Sequence, residues 1–180
     1  MGDQETPYLQ PHQWIAALSY RYFHSFRDFN AAGDEVSIPL IKNDTYVDLF
    51  DVSATYAVSR RLNVTFELPV QYGSRTNSVE HDAVHVHTMR AAGIGDVRLT
   101  ANLFLLDPAE HPDLNISLGL GLKAPSGDDA VKDTSFRTTG PEQLAVAPAI
   151  EPGDGGWGGI LSGKGLGEAY SKTLIRSSGS

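Results

Sequence analysis

The sequence predicts an all-β fold, an antiparallel up-and-down transmembrane β-barrel that is incomplete in this chain. Three observations predict it. Apolar and polar residues alternate with period two in five segments, short and long connections alternate between those segments, and aromatic residues cluster near the segment ends. Residues two apart share one face of a strand but lie on nearly opposite sides of a helix, so the alternation indicates strands.

The alternation differs in quality between the five segments. It is most regular in residues 62–72 and 114–123, where every even position is apolar or aromatic. The first segment contains three apolar exceptions on its polar side, and the second is the weakest because Asp48 interrupts its apolar row. In chain order the predicted strands are residues 14–26, 46–58, 62–72, 97–105 and 114–123.

The connections fall into two lengths. Strands two and three are joined by residues 59–61, and strands four and five by the compact turn sequence 107–113. The other connections, about residues 28–45, 73–96 and 124–154, are long, and long connections of this kind are usually functional. Because long and short connections alternate strictly, we expect all the long ones at one end of the sheet.

The whole chain, residues 1–180, is predicted to be one β-barrel domain. Residues 1–12 form an N-terminal extension that lacks the basic start and apolar core of a signal peptide. A sixth strand is expected to begin within the glycine-rich residues 153–161, and residues 162–180 are a poorly patterned tail. Within this tail the candidates for a seventh strand are Tyr170, Leu174 and Ile175. Because the smallest single-chain barrels have eight strands, we expect an incomplete barrel.

Composition excludes several classes of protein. No run approaches the roughly 18 apolar residues of a membrane helix, which excludes a helical membrane protein. The 22 acidic and 14 basic residues, with a net charge of −8, argue against a nucleic-acid partner. Since the chain has no cysteine, a disulfide framework, a thiolate nucleophile and a cysteine zinc site are also excluded.

The alternation alone leaves open whether the apolar face points inward, as in a water-soluble barrel, or toward lipid. Two features favour lipid: the strands are long enough to cross a bilayer on a tilt, and outer-membrane barrels show the same alternation of loop lengths. Aromatic residues near the strand ends are predicted to form interfacial girdles. These residues are Trp14, Tyr20, Tyr22, Tyr46, Tyr56 and Tyr72.

If the apolar face meets lipid, the opposite face lines a lumen. The residues predicted to line it are Arg21, Arg27, Asp51, Glu67, Arg98 and Lys123. Charges of both signs cannot stay unpaired in a dry interior, so they either face water in a pore or pair with one another. A wholly structural plug of ion pairs therefore stays open as an alternative.

Other motifs are interpreted as solvated loop residues. The histidines His81, His85 and His87 have a spacing that a metal could use, but no second ligand cluster accompanies them. The acids near Asp128 do not follow the spacing of a calcium-binding EF-hand loop. There is no Gly-x-Ser-x-Gly nucleophile motif. We therefore predict no catalytic residue, no metal and no cofactor.

Four stretches of the chain resemble a known family. They are "YLQPHQWIAALSYRYFHSFRDF", "GIGDVRLTANLFLLDP", "NISLGLGLKAPSGDD" and "EPGDGGWG", within residues 8–158. They are similar to a family of Gram-negative outer-membrane β-barrel proteins labelled as the outer-membrane component of the MetA pathway of phenol degradation. The most specific parts are Gly-Ile-Gly-Asp from Gly93 and Lys-Ala-Pro-Ser-Gly-Asp from Lys123. Family chains carry a signal peptide and further strands, so this chain is expected to be an N-terminal part.

The resemblance implies a porin-like channel or transporter in the bacterial outer membrane. It would pass small molecules passively or selectively, with aromatic or hydrophobic compounds among the candidate solutes. The implied partners are membrane lipid, an unknown small-molecule solute and the barrel-assembly machinery. Two alternatives stay open: a soluble or secreted barrel that binds a small molecule, and a structural outer-membrane barrel without transport.

Overall fold

The computed structural model describes residues 8–27, 32–33, 43–77 and 85–167. This part of the chain contains nine strands and no helix long and apolar enough to cross a membrane. The strands are β1 (Trp14–Ser25), β2 (Asp44–Ala57), β3 (Leu62–Asn77), β4 (His87–Ile94), β5 (Arg98–Phe104), β6 (Leu114–Lys123), β7 (Lys132–Arg137), β8 (Gly140–Ala145) and β9 (Gly158–Gly167).

The main sheet is antiparallel, with the order β1-β2-β3-β5-β6-β9, and β4 also pairs with β3. The predicted all-β, antiparallel character is therefore confirmed. A closed barrel is not present, because β1 and β9 do not pair with each other and each keeps one free edge within the described residues. The strands instead form an open up-and-down sheet.

Strands β4 and β5 are two parts of one interrupted strand beside β3. The first half of β3 pairs with β5, ending at Glu67↔Arg98, and its second half pairs with β4, beginning at Val70↔Ile94. Three residues, 95–97, therefore face two, which makes a β-bulge. The bulge lies opposite Pro69, which has no N–H to donate and whose carbonyl accepts a 2.8 Å hydrogen bond from Gly95.

Two predicted connections contain strands. The expectation of a long connection over residues 73–96 is wrong, because β3 continues to Asn77 and β4 begins at His87. Residues 124–154 contain the separate hairpin β7–β8. Both were missed because apolar and polar residues do not alternate regularly there: β4 reads HTMRAAGI, β7 KDTSFR and β8 GPEQLA.

The sixth strand runs further than expected. β9 covers Gly158–Gly167, so the predicted tail at residues 162–180 begins inside a strand. Its small and polar residues hid this strand, since glycine leaves no apolar side chain to mark a face. The candidates for a seventh strand, Tyr170, Leu174 and Ile175, and residues 1–7 of the N-terminal extension lie outside the described residues.

The main sheet has one apolar and one polar face. One cross-strand row of the apolar face crosses all six strand positions and comprises Trp14, Tyr56, Val64, Ala101, Leu120 and Leu161. This face is open: Trp14, Leu120 and Leu161 are 71%, 69% and 80% exposed. On β6 the alternate residues of the polar face are covered, with Asn115 at 0% and Ser117 at 4% exposure. The burial is thus opposite to that of a water-soluble sheet.

The small hydrophobic core lies under a loop. Met89, Ala91, Val146 and Ile150 are buried together, and Val47 and Val131 pack against them. This core joins the polar-face side of β2 and β4 to residues 124–157, which we name the covering loop. Ile150 is fully buried, and a Cβ atom at Gly73 would lie 2.6 Å from its Cβ. The covering loop therefore lies directly on the backbone of β3.

Candidate functional site

A polar cavity lies on the polar face of β3, β5, β6 and β9. Its volume is about 600 Å³, and its lining includes Glu67, Arg98 and Lys123. A second cavity of about 240 Å³ shares Thr65, Asn102 and Lys164 with the first and reaches Phe104. Because the two cavities share these lining residues, we treat them together and name them the polar chamber.

A row of charged residues crosses the chamber wall. Strand pairing places Glu67 of β3 opposite Arg98 of β5, and Arg98 opposite Lys123 of β6. The Glu67 and Arg98 side chains form an ion pair with 3.5 Å between oxygen and nitrogen. Both are partly exposed, so their pairing contributes little stability, and their main effect is to give the wall charges of both signs.

The covering loop is attached to the sheet at a buried carboxylate, Asp96. Its Oδ1 accepts a 3.0 Å hydrogen bond from the backbone N–H of Gly127, and its Oδ2 accepts one of 3.2 Å from that of Asp154. The Lys123 ammonium lies 3.1 Å from Asp96 Oδ2 and also contacts the Asp154 carboxylate. One carboxylate therefore binds both ends of the loop.

The surroundings of Asp96 favour its ionised form. Two backbone N–H groups and the Lys123 ammonium donate to its carboxylate, and such hydrogen bonds are stronger when the acceptor is charged.

Close backbone contacts complete this attachment. A Cβ atom at Gly127 would lie 2.7 Å from the Cα of Gly153, so the two ends of the covering loop touch there. The Ser126 hydroxyl accepts a 2.9 Å hydrogen bond from the N–H of Val97 and donates one of 3.3 Å to the carbonyl of Gly95. Larger residues at either glycine would force the ends of the loop apart.

The opposite end of the polar face is also covered. Tyr8 is buried, and its ring meets that of Phe104 edge-on at 5.2 Å. The N–H of His12 donates a 2.7 Å hydrogen bond to the carbonyl of Ala57, which holds this segment against the short turn. Residues 8–12, predicted as a simple extension, therefore close one end of the chamber.

The remaining predicted lumen residues lie apart from the chamber. Arg21 and Asp51 form a 2.8 Å ion pair on the polar face of β1 and β2. Arg27 follows the end of β1, with its guanidinium 5.3 Å from the ring centre of Phe26. Of the six predicted residues, the structure thus gathers only Glu67, Arg98 and Lys123 around one cavity.

The predicted girdle residues all lie on the apolar face, in two groups. Trp14 is opposite Tyr56 near the short turn between β2 and β3. The other group lies toward the opposite end and comprises Tyr20, Tyr22, Tyr46 and Tyr72. Tyr22 lies eight positions after Trp14, which is about 26 Å along a strand at roughly 3.3 Å per residue.

Asp48, which interrupts the apolar row, lies among these aromatic rings. Its cross-strand partners are Tyr22 and Tyr72, and its carboxylate accepts a 2.6 Å hydrogen bond from the Tyr20 hydroxyl. His24 stacks on Tyr46 with 4.2 Å between ring centres. The aromatic group thus supplies a polar partner for Asp48.

The histidine and aspartate motifs have structural contacts. His81 lies outside the described residues, and the ring of His87 stacks on that of Phe136 at 4.4 Å. Asp128 accepts a 3.0 Å hydrogen bond from the N–H of Ala130 within the covering loop. Where the structure describes the chain, no group of three His, Cys, Asp or Glu residues could hold a metal ion.

Asp96 and Lys164 are the residues of this site that were not singled out from sequence. Asp96 ends the Gly-Ile-Gly-Asp motif of the family resemblance, and a single acid after two glycines was the available signal. Comparison with known proteins found no matching family model and no matching curated protein. The family resemblance of the motifs therefore stays a prediction.

Proposed function

We propose that this sheet is part of the wall of an outer-membrane β-barrel that acts as a porin-like channel for small molecules. The observation that carries this proposal is the burial pattern. Large apolar side chains, including Leu120 and Leu161, are exposed on one face, while the other face carries the polar chamber and the covering loop. The apolar face would meet lipid, and the polar face would line the lumen.

Energetics support lipid as the missing partner of the apolar face. Removing a large aliphatic or aromatic side chain from water contributes about 1.5–3 kcal/mol. Five such side chains are each more than half exposed: Trp14, Leu18, Leu120, Leu122 and Leu161. In water the sheet does not gain this free energy at these positions. A water-soluble barrel would turn the same face inward, opposite to the observed exposures.

The two aromatic groups match the borders expected of a membrane-facing band. Trp14 and Tyr22 are about 26 Å apart along β1, which a strand tilt of about 40° projects to roughly 20 Å along the membrane normal, against the roughly 25 Å band of outer-membrane barrels. Beyond Tyr72, the outward residues of β3 become Ser74 and Thr76. These polar positions suit a strand that continues past the lipid.

The free edges of β1 and β9 require partners in a bilayer, because lipid cannot satisfy exposed backbone N–H and C=O groups. Closing the wall therefore needs strands beyond those described here. A second copy of the chain is one source, and the mass of the folded species in detergent measures how many chains take part.

A structural barrel without transport is the second candidate. Both ends of the polar face are covered, by Tyr8 with Phe104 at one end and by the covering loop at the other. If these covers stay closed, solute cannot pass. A channel needs at least a narrow path beside the covering loop. In known porins the long loops leave such a path open.

Conductance tests the two candidates directly. The full chain is folded into detergent micelles and then added to planar bilayers. Discrete conductance steps are expected for a channel, and folded protein that gives none supports the structural barrel. A monodisperse, folded protein in plain buffer would overturn the membrane proposal altogether.

A further inference from the structure

The charges around the polar chamber differ in sign from the chain as a whole. The chain has a net charge of −8, yet the lining of the larger cavity includes three cations and two acids. The cations are Arg98, Lys123 and Lys164, and the acids are Glu67 and Asp154. Asp96 lies behind Lys123, outside this lining, and is directed toward the covering loop.

Only one of these cations lacks an acidic partner. Arg98 pairs with Glu67, and Lys123 pairs with Asp96 and Asp154. No carboxylate in the described part of the chain lies within 4.0 Å of the Lys164 ammonium. Lys164 also lines both cavities, so its charge is available to a solute anywhere along the chamber.

The remaining wall offers hydroxyl and amide groups. Thr65, Thr100, Asn102 and Ser162 line the larger cavity, and Ile160 is its one large apolar side chain. Each of these polar groups can both donate and accept a hydrogen bond. Such a wall suits a solute that carries several hydroxyl groups and does not suit a wholly apolar one.

Two glycines of β6 make room for these side chains. A Cβ atom at Gly119 would lie 2.5 Å from Asn102 Oδ1 and closer still to Ser162 Oγ. One at Gly121 would lie 2.6 Å from Thr100 Oγ1. The polar groups therefore lie flat across β6, which explains the alternating glycines of this strand and leaves the chamber open above them.

We propose that the polar chamber binds a small hydroxylated carboxylate, with its carboxylate paired to Lys164 and its hydroxyl groups bonded to the threonine, asparagine and serine side chains. This inference deepens the proposed function, since it names the solute class of the same lumen. A cavity of about 600 Å³ holds a molecule the size of a sugar acid together with water.

Binding to the full chain folded in detergent tests this inference, with gluconate as the probe and neutral glucose as its uncharged match. Gluconate should bind at least about tenfold more tightly than glucose, because an ionic hydrogen bond to Lys164 is added. Lys164→Gln should remove this difference, and Lys164→Arg should retain it. Lys132→Gln, at an exposed lysine of β7, is the matched control and should bind like the parent.

Conductance is recorded in a separate experiment, so a failure of the channel proposal can be told apart from a failure of the binding proposal. Conducting protein that binds gluconate no better than glucose overturns the inference and leaves the channel. Non-conducting protein with Lys164-dependent binding overturns the channel and leaves the binding site. Equal gluconate binding by Lys164→Gln and parent also overturns the inference, and an unchanged unfolding temperature shows that the variant is folded.

Discussion

Asp96 and Lys123 form an ion pair, with 3.1 Å between Oδ2 and Nζ, at the point where the covering loop leaves the sheet. The same carboxylate accepts hydrogen bonds from Gly127 and Asp154, near the two ends of that loop. Residues 58 positions apart in sequence thus meet at one buried group. We expect this contact to hold the covering loop on the polar face together with the core around Ile150.

Replacing Asp96 should loosen the covering loop. In Asp96→Asn the charge is lost and one backbone N–H is left without an acceptor, which should cost about 1–3 kcal/mol. Trypsin cleavage at Lys132 and Arg137, both exposed on β7, should become faster. Asp113→Asn, at an exposed turn residue, is the control. Equal cleavage rates for the two variants would contradict this role of Asp96.

Gly73 should tolerate no side chain. Since a Cβ atom there would lie 2.6 Å from the Cβ of Ile150, Gly73→Ala must displace the covering loop or the strand, at a cost of about 1–3 kcal/mol. Urea unfolding measures this loss. Gly163→Ala is the matched control in a strand, because nothing lies within 4 Å of a Cβ atom at Gly163. Similar losses for both would show that the Ile150 contact is unimportant.

Tyr20 should matter through its hydroxyl group. Tyr20→Phe leaves the Asp48 carboxylate without its 2.6 Å donor, so we expect a measurable loss in unfolding free energy. Tyr22→Phe removes a hydroxyl from the neighbouring ring and should have little effect, because Tyr22 contacts Tyr46 through its ring. An equal loss in both variants would assign the effect to the rings.

Leu118 tests the membrane proposal. It is the middle member of the exposed apolar row on β6, so Leu118→Arg would place a charge in lipid at a cost of roughly 2–4 kcal/mol. The folded fraction recovered in lipid vesicles should fall. Ser53→Arg, on the polar face opposite Glu67, should insert normally. Normal insertion of Leu118→Arg would contradict lipid contact at this face.

Local patterns predicted most of the main sheet. The bounds of β6 agree with the predicted residues 114–123, because its alternation is complete and needs only neighbouring residues to be seen. β4 and the hairpin β7–β8 were missed because apolar and polar residues do not alternate regularly along them. The alternation therefore predicted the strands that have one uniformly apolar face and did not predict the others.

The site was predicted in part for the same reason. The alternation of side chains within each strand placed Glu67, Arg98 and Lys123 on the polar face. Strand pairing then set them side by side. The roles of Asp96 and Lys164 depend on contacts with distant residues, which the alternation within a strand does not reveal. One is bonded across a long loop, and the other faces a cavity formed by several strands.

The sequence by itself determined the regularly alternating strands and the two chemically distinct faces of the sheet, since the alternation is visible in neighbouring residues. Only the tertiary structure decided that the apolar face is open, that the covering loop lies on the polar face, and that Asp96 holds both ends of it. These features depend on residues far apart in sequence, whose meeting is set by strand register and packing.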